Sequence, residues 1–263
     1  MTRAAVIAAI VWLELLRRKD IYVLLILLGA LLAGLVSLNV FGLGGATAYV
    51  KDIGLLLAWL FGWILAVSAT ARELPQEETR GTIFSLLAKP LRRAELLAGK
   101  WLGCWSIVAA AALAFYAIVA AVALAKGAGF DAVALAQGFV LHLCALGVIC
   151  ALALCCSTRL NADAAAALTY VVSAACLLLA PRLPHLAAYA SGFRFTALLA
   201  LYHALPHFDL FDMRRRLVHD LGPLPWPVFG AVAAYGIVLT ALFLLLAWTA
   251  YRRKRFSRGA LGA

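Results

Sequence analysis

Long apolar stretches make up most of this chain, and short polar segments separate them. Six stretches are nearly free of charge: residues 21–41, 53–71, 102–125, 133–156, 164–180 and 228–251. Each is close to the roughly 20 residues that a helix needs to cross about 30 Å of hydrocarbon. The pattern predicts an all-α polytopic membrane protein with six transmembrane helices, in one transmembrane domain over residues 1–263.

A strongly charged segment, residues 72–100, lies between the second and third apolar stretches and is here called the island. It reads RELPQEETRGTIFSLLAKPLRRAELLAGK, with six basic and four acidic residues. Pro75 with the acidic residues after it predicts a helix over residues 75–87, and Pro90 predicts its end. A second helix is expected to begin near residues 92–94 and to enter the third span. Such an island offers a docking surface to a soluble partner.

The N-terminal segment, residues 1–20, mixes apolar with charged side chains. This composition predicts a helix that lies in the interface plane, and a cytosolic extension of the first span is the open alternative. Glu14 and Arg17 interrupt the region where a cleavable signal peptide would be apolar. We therefore expect the first span to act as its own insertion signal.

A long segment, residues 181–227, separates the fifth and sixth spans. Its part from 186 to 205 is apolar enough to raise the alternative of a seventh span. Arg194 at its centre and the prolines around it argue against that alternative. We expect a re-entrant or interfacial helix on the outer side, followed by an outer loop.

The distribution of basic residues predicts the orientation. If the N-terminus is cytoplasmic, sixteen of the 23 Lys and Arg residues fall on the cytoplasmic side. Most of the remaining seven lie in the long outer segment, where the positive-inside bias is weaker. Both termini are therefore expected in the cytoplasm, with the protein in the inner membrane.

Composition narrows the class further. A mean hydropathy of +0.99 with 13% charged residues excludes an ordinary soluble domain. The net charge of +11 follows from topology, so it is no sign of nucleic-acid binding. All six cysteines lie in or beside spans, without the CxxC spacing of metal or redox sites, which favours packing roles.

Two local features concern helix packing and helix ends. Gly99 and Gly103 form a small-xxx-small pair of the kind that lets helices approach closely in lipid. Asp163 follows the short loop after the fourth span, and we expect it to cap the fifth.

The island resembles the cytoplasmic loop of ABC-2-type permeases, the membrane subunits of ATP-binding-cassette exporters. The matching features, in chain order, are the acidic pair Glu77-Glu78, the Gly81-Thr82 step, the aliphatic run 83–87, Lys89-Pro90, and then Glu95, Leu97, Lys100 and Gly103. Residues 205–211, LPHFDLF, also resemble an outer-loop motif of some members. Arg92 departs from the Ser or Thr that many relatives carry.

The resemblance implies a non-enzymatic permease that pairs with a second copy or a paralogue and binds a cytosolic ATPase. The first island helix would enter a groove on that ATPase. Its contacts would come from Glu77, Glu78, Arg80, Gly81, Thr82, Ile83 and Phe84. The chain has no GxxxxGK[ST] phosphate loop, so ATP and Mg²⁺ would be held by the partner, and no cofactor is expected here. The cargo would be a lipid, polysaccharide, peptide or drug-like compound.

Several residues outside the island are further candidates. On the outer side these are Arg194, His203, His207 and Asp209, and an extracytoplasmic accessory protein is a conceivable partner there. His203 and His207 have the i, i+4 spacing that can chelate a metal on a helix, although Pro206 weakens that helix. His142, inside the fourth span, is a functional candidate, but one imidazole hydrogen-bonded to a neighbouring helix is the simpler interpretation.

Two other classes of protein remain as alternatives. An intramembrane enzyme would need paired carboxylates and histidines within spans, and the chain has neither a HExxH motif nor a Ser/His/Asp set. A membrane anchor for a cytosolic complex would use the same island, but would not need the outer re-entrant region.

Overall fold

The protein is built from helices in every part of the chain that the structure describes. The structure is a computed structural model that describes residues 3–17, 19–37, 46–79, 93–127, 129–189 and 191–252. The helices are α1 (Arg3–Arg17), α2 (Asp20–Ser37), α3 (Ala46–Ala71), α4 (Glu73–Thr79), α5 (Arg93–Ala125), α6 (Ala132–Ser157), α7 (Ala162–Leu179), α8 (Leu183–Ala188), α9 (Phe193–Ala204), α10 (Arg214–Val218) and α11 (Trp226–Arg252), with 3-10 turns at Ala180–Arg182 and Phe208–Phe211. The predicted all-α membrane protein is confirmed.

Five helical segments are long and apolar enough to cross a bilayer: Ala48–Thr79, Arg93–Ala125, Ala132–Ser157, Ala162–Ala188 and Trp226–Arg252. They correspond to the second to sixth predicted spans. The first predicted span coincides with α2, which has 18 residues, and its apolar core in the described residues is Tyr22–Leu31. The count of six spans therefore stays a prediction.

These helices cross between two ends of a bundle. The island end carries α4, the start of α5, residues 158–161 and the end of α11. The loop end carries residues 126–127, 129–131, 181–189 and 191–225. Helix α6 is the most buried of the five spans, and α11 is the least buried.

Two tryptophans of α5 hold that helix against α6. Trp101 and Trp105 lie one turn apart, and their rings stack at 5.5 Å. The indole N–H of Trp101 donates to the Gly147 carbonyl of α6, and that of Trp105 donates to the Leu143 carbonyl, both at 3.0 Å. Gly147 leaves room for this contact, because a Cβ there would lie 3.2 Å from the indole nitrogen of Trp105. Hydrogen bonds of this kind help to fix helix packing where no water competes.

Helix α1 packs against Gly99 and Gly103, the glycine pair that was predicted to permit close packing. A Cβ on Gly99 would lie 2.8 Å from Cβ of Ile7, and one on Gly103 would lie 2.7 Å from Cβ of Val11. The contact advances by four residues on both helices, so α1 and α5 run side by side in the same direction. Whether α1 lies in the membrane interface stays a prediction.

The fifth span differs from its prediction at both ends. Asn161, not Asp163, is the N-cap, and its side chain accepts a hydrogen bond from the Ala164 N–H at 3.0 Å. Asp163 instead contributes a negative charge to the first turn. Pro181 does not end the helical run. It lies at the start of the 3-10 turn Ala180–Arg182, where the backbone N–H that proline lacks is not needed. The run therefore continues to Ala188.

The region predicted as a re-entrant or interfacial helix over residues 186–205 holds two short helices, the end of α8 and all of α9. A break before α9 includes Gly192, whose φ of +61° is a conformation that favours glycine. Helix α9 has only 12 residues, too few to cross the bilayer. The described residues thus contain no seventh span between 189 and 204.

The segment that follows α9 is anchored to the bundle. Phe208 and Phe211 are almost fully buried in the core. The side chain of Gln137 on α6 exchanges two hydrogen bonds with the backbone of Leu224, at 2.7 and 3.1 Å. The Lys51 ammonium, buried at the start of α3, lies 2.9 Å from the Asp220 carboxylate. Residues 207–225 therefore form a fixed cover over the loop end.

We expect Gly103→Ala to destabilise the protein by about 1–3 kcal/mol, because the new methyl group would push α1 away from α5. The unfolding midpoint of the purified protein measures this. Gly230→Ala is the matched control, since a Cβ there meets nothing within 4 Å. Equal midpoints for the two variants would contradict the packing of α1 on α5.

Candidate functional site

The first part of the island turns directly against the bundle. After α3 ends at Ala71, one turn residue, Arg72, precedes α4, and the Arg72 carbonyl accepts a hydrogen bond from the Gln76 N–H at 3.0 Å. Glu73 and Glu77 are four residues apart on α4, so their side chains share one face of the helix. That face is turned toward α5.

Lys100 on α5 meets both carboxylates. Its Nζ lies 3.1 Å from Oε2 of Glu73 and 2.8 Å from Oε1 of Glu77. The Lys100 and Glu73 side chains are each 2% exposed, and the Glu77 side chain is 22% exposed. We call these three residues the ion triad. It joins the beginning of the island to its end, across the residues between 79 and 93.

Burial makes the triad a strong geometric constraint. Separating a buried charge from its partner is expensive, because neither water nor another ion compensates it. An ammonium group between two carboxylates therefore fixes the position of α4 relative to α5. With all three groups ionised, the triad carries one net negative charge. The two carboxylates therefore require the Lys100 ammonium group as their counter-ion.

Two arginines connect the last span to the same end. Arg93, at the start of α5, donates from Nη1 to the carbonyls of Tyr251 and Arg252 at 2.8 and 2.9 Å. Arg159, in the loop before α7, donates to the carbonyl of Ala250 at 3.1 Å. The last carbonyls of a helix have no partner within the helix, so both guanidinium groups cap α11. The island end thus links α4, α5 and α11.

The predicted docking residues lie only partly within the described chain. Glu77 directs its carboxylate at Lys100, and Glu78 is half-buried beside it on α4. Arg80, Gly81, Thr82, Ile83 and Phe84 lie outside the described residues. No role was predicted for Glu73 from the sequence, and Lys100 was identified only as part of a motif. A lysine entering an apolar span, with two glutamates four residues apart nearby, was the available signal.

The outer candidates do not form one site. Arg194 and Asp209 are exposed on different segments. His203 lies on α9, but that helix ends at Ala204, and Leu205 is extended before Pro206. The prediction that both histidines lie on one helix is therefore wrong: His207 is off the helix, where its backbone N–H donates to the Tyr235 hydroxyl at 3.1 Å. No group of three metal-ligating side chains occurs among the described residues.

His142 is held by ring contacts. Its imidazole stacks on Trp59 with ring centroids 4.6 Å apart, and it is fully buried. Gly62 makes room for the ring, since a Cβ there would lie 3.2 Å from it. Neither ring nitrogen has a hydrogen-bond partner in the described part of the chain. The expected hydrogen bond to a neighbouring helix is thus not found.

Comparison with known families decides the class of protein. The family described as ABC-2 family transporter protein matches residues 7–256, which is nearly the whole chain. The chain belongs to the ABC-2 family of transporter proteins. A comparison with curated proteins gives no match. The family assignment supports a permease role in transport, and members of this membrane family are generally non-catalytic.

In this ABC-2 family protein we expect Lys100→Met to lower the free energy of unfolding by about 3–5 kcal/mol, because it leaves two buried carboxylates uncompensated. Adding Glu73→Gln and Glu77→Gln to that variant removes the uncompensated charges and should restore most of the loss. The unfolding midpoint of each purified variant is the measurement.

Lys126→Met is the matched control for the triad, since Lys126 is exposed at the loop end. It should leave the midpoint unchanged. A Lys100→Met variant as stable as this control, or a triple variant no more stable than Lys100→Met alone, would show that the triad does not hold α4 in place.

Proposed function

We propose that this chain is the permease subunit of an ABC-2-type exporter, driven by ATP that a separate cytosolic ATPase hydrolyses. It would act with a second copy or a paralogue in the inner membrane. The six-span layout, with α2 as the first span and both termini in the cytoplasm, belongs to the same proposal. It is supported by the family and by the sequence, in which sixteen of 23 basic residues fall in the N-terminal segment, the island, the loop after the fourth span and the C-terminal tail.

The ion triad is the observation that carries this proposal. A cytosolic motor can act on a membrane bundle only through a rigid connection. Glu73 and Glu77 supply one, because their contacts with Lys100 hold α4 on the long helix α5. A force on the island would therefore reach a helix of 33 residues rather than be lost in a loop.

The path of the motion follows from the same contacts. The closing ATPases would push on α4 and the following residues 80–84, the predicted docking segment. Helix α5 would move with α4, and α1 with α5, because of the close contact at Gly99 and Gly103. Arg93 would carry the displacement to the end of α11. Two packed arrangements of these helices, biased by nucleotide, would give alternating access.

Co-purification from membranes tests the proposal. We expect a cytosolic ATPase to co-purify with the wild-type chain, and the double variant Glu78→Arg with Phe84→Asp to lose it, because it reverses one charge and removes one apolar anchor. The measurement is the amount of ATPase recovered per permease. Asp163→Arg is the control, since Asp163 is an exposed carboxylate elsewhere at the island end.

Two results would contradict the proposal. The first is that no ATPase accompanies the wild-type chain. The second is that the double variant, still folded by its unfolding midpoint, retains the ATPase as Asp163→Arg does. The first result would favour a membrane anchor or an intramembrane enzyme over a permease. The second would show that the ATPase does not dock on the island.

A further inference from the structure

A small cavity lies between α3 and α7 below the cover at the loop end. Its volume is about 110 Å³. Leu56, Trp59, Leu60 and Trp63 of α3 form one wall, Leu177 of α7 forms another, and Arg214 lies at the cover. The cavity thus begins beside the cover and extends toward the middle of the bundle.

The wall of this cavity is apolar and borders the lipid-facing surface. Leu56 and Leu60 belong to the lining and are also exposed on the outside of the bundle, by 47% and 39%. Two polar groups of the lining are paired with each other: the indole N–H of Trp63 donates to the Ser173 hydroxyl at 2.9 Å. Such a wall suits methylene groups and offers nothing to a sugar or a peptide backbone.

Arg214 is the one charged residue among the lining residues that the structure describes. Its Nε and Nη2 bind the Asp212 carboxylate at 2.6–3.0 Å. Burial alone would lower its pKa, but the hydrogen bonds and charge of Asp212 raise that pKa above its usual value, so it stays a cation. The structure shows no hydrogen bond from Nη1 among the described residues, so two N–H donors of the guanidinium remain for a further acceptor.

We propose that this cavity binds the first few methylene groups of a membrane-resident amphiphile whose anionic headgroup contacts Arg214. The chain would enter sideways from the leaflet at the loop end, between α3 and α7 and past the exposed Leu56 and Leu60. The headgroup would accept hydrogen bonds from Nη1 and stay at the level of the cover. This binding needs neither ATP nor an ATPase, so it stands independently of the proposed exporter role.

Photoaffinity labelling tests this site in membranes that contain the full-length chain with its natural partners and no nucleotide. The anionic probe is an octadecyl sulfate with a diazirine in its chain, and the neutral probe is the corresponding octadecanol. Mass spectrometry of the peptides locates the label. We expect saturable labelling of residues 56–63 and 173–177 by the sulfate, with competition by unlabelled octadecyl sulfate.

Two pairs of variants separate the cavity from its charge. Leu177→Phe fills the cavity and should lower the saturable labelling about fivefold or more, the effect of about 1 kcal/mol of overpacking. Leu178→Phe, at an exposed neighbour, should leave it unchanged.

Arg214→Gln should weaken labelling by the sulfate about tenfold, as expected for a lost charge-assisted hydrogen bond, and should leave labelling by the octadecanol unchanged. Arg214→Lys should restore most of the difference.

The following results would overturn the inference. Labelling that does not saturate, or that falls mainly elsewhere, means that there is no site. Equal labelling in Leu177→Phe and Leu178→Phe means that the chain does not enter the cavity. Equal losses for sulfate and octadecanol in Arg214→Gln mean that the arginine does not recognise an anion. None of these results depends on whether an ATPase binds the island.

Discussion

The architecture at the island end depends on a charge balance inside an apolar protein. Lys100 enters the bundle with the third predicted span, and its ammonium group needs a counter-ion there. The carboxylates of Glu73 and Glu77 supply it only if α4 lies against α5 in one orientation. The short helix that begins the island therefore takes its position from the ion triad together with the fully buried Leu74, because its seven residues could not form a stable helix alone.

Most of the fold could be predicted from the sequence, because each span needs only length and apolar character. Helices α5, α6 and α11 begin and end within about ten residues of their predicted spans. The wrong predictions concern helix ends, where one local contact decides at which residue a helix begins or ends. Pro181 suits the first turn of a new helical segment as well as the end of an old one, and the sequence does not distinguish the two. Asn161 and Asp163 are both good caps, and only the backbone geometry selects Asn161.

The candidate site was harder to predict, because it depends on contacts between distant residues. A motif shows that Glu77 and Lys100 occur in the same island, but not that they touch. Tertiary contacts likewise decide that His142 stacks on Trp59 and that Arg214 lies at a cavity. The two ends of the molecule follow one rule: the charges that are buried in the described parts of the chain are paired, and the pairs fix polar segments to an apolar bundle.

A distance measurement tests the central claim, which is that α4 and α5 move as one body. Spin labels would be attached at Thr79, exposed at the end of α4, and at Leu113, exposed on α5, in the complex with its ATPase. We expect a single narrow distance distribution that is the same without nucleotide and with bound ATP. A broad distribution, or one that shifts when ATP binds, would contradict it, because the triad would then not transmit the motion of the island to α5.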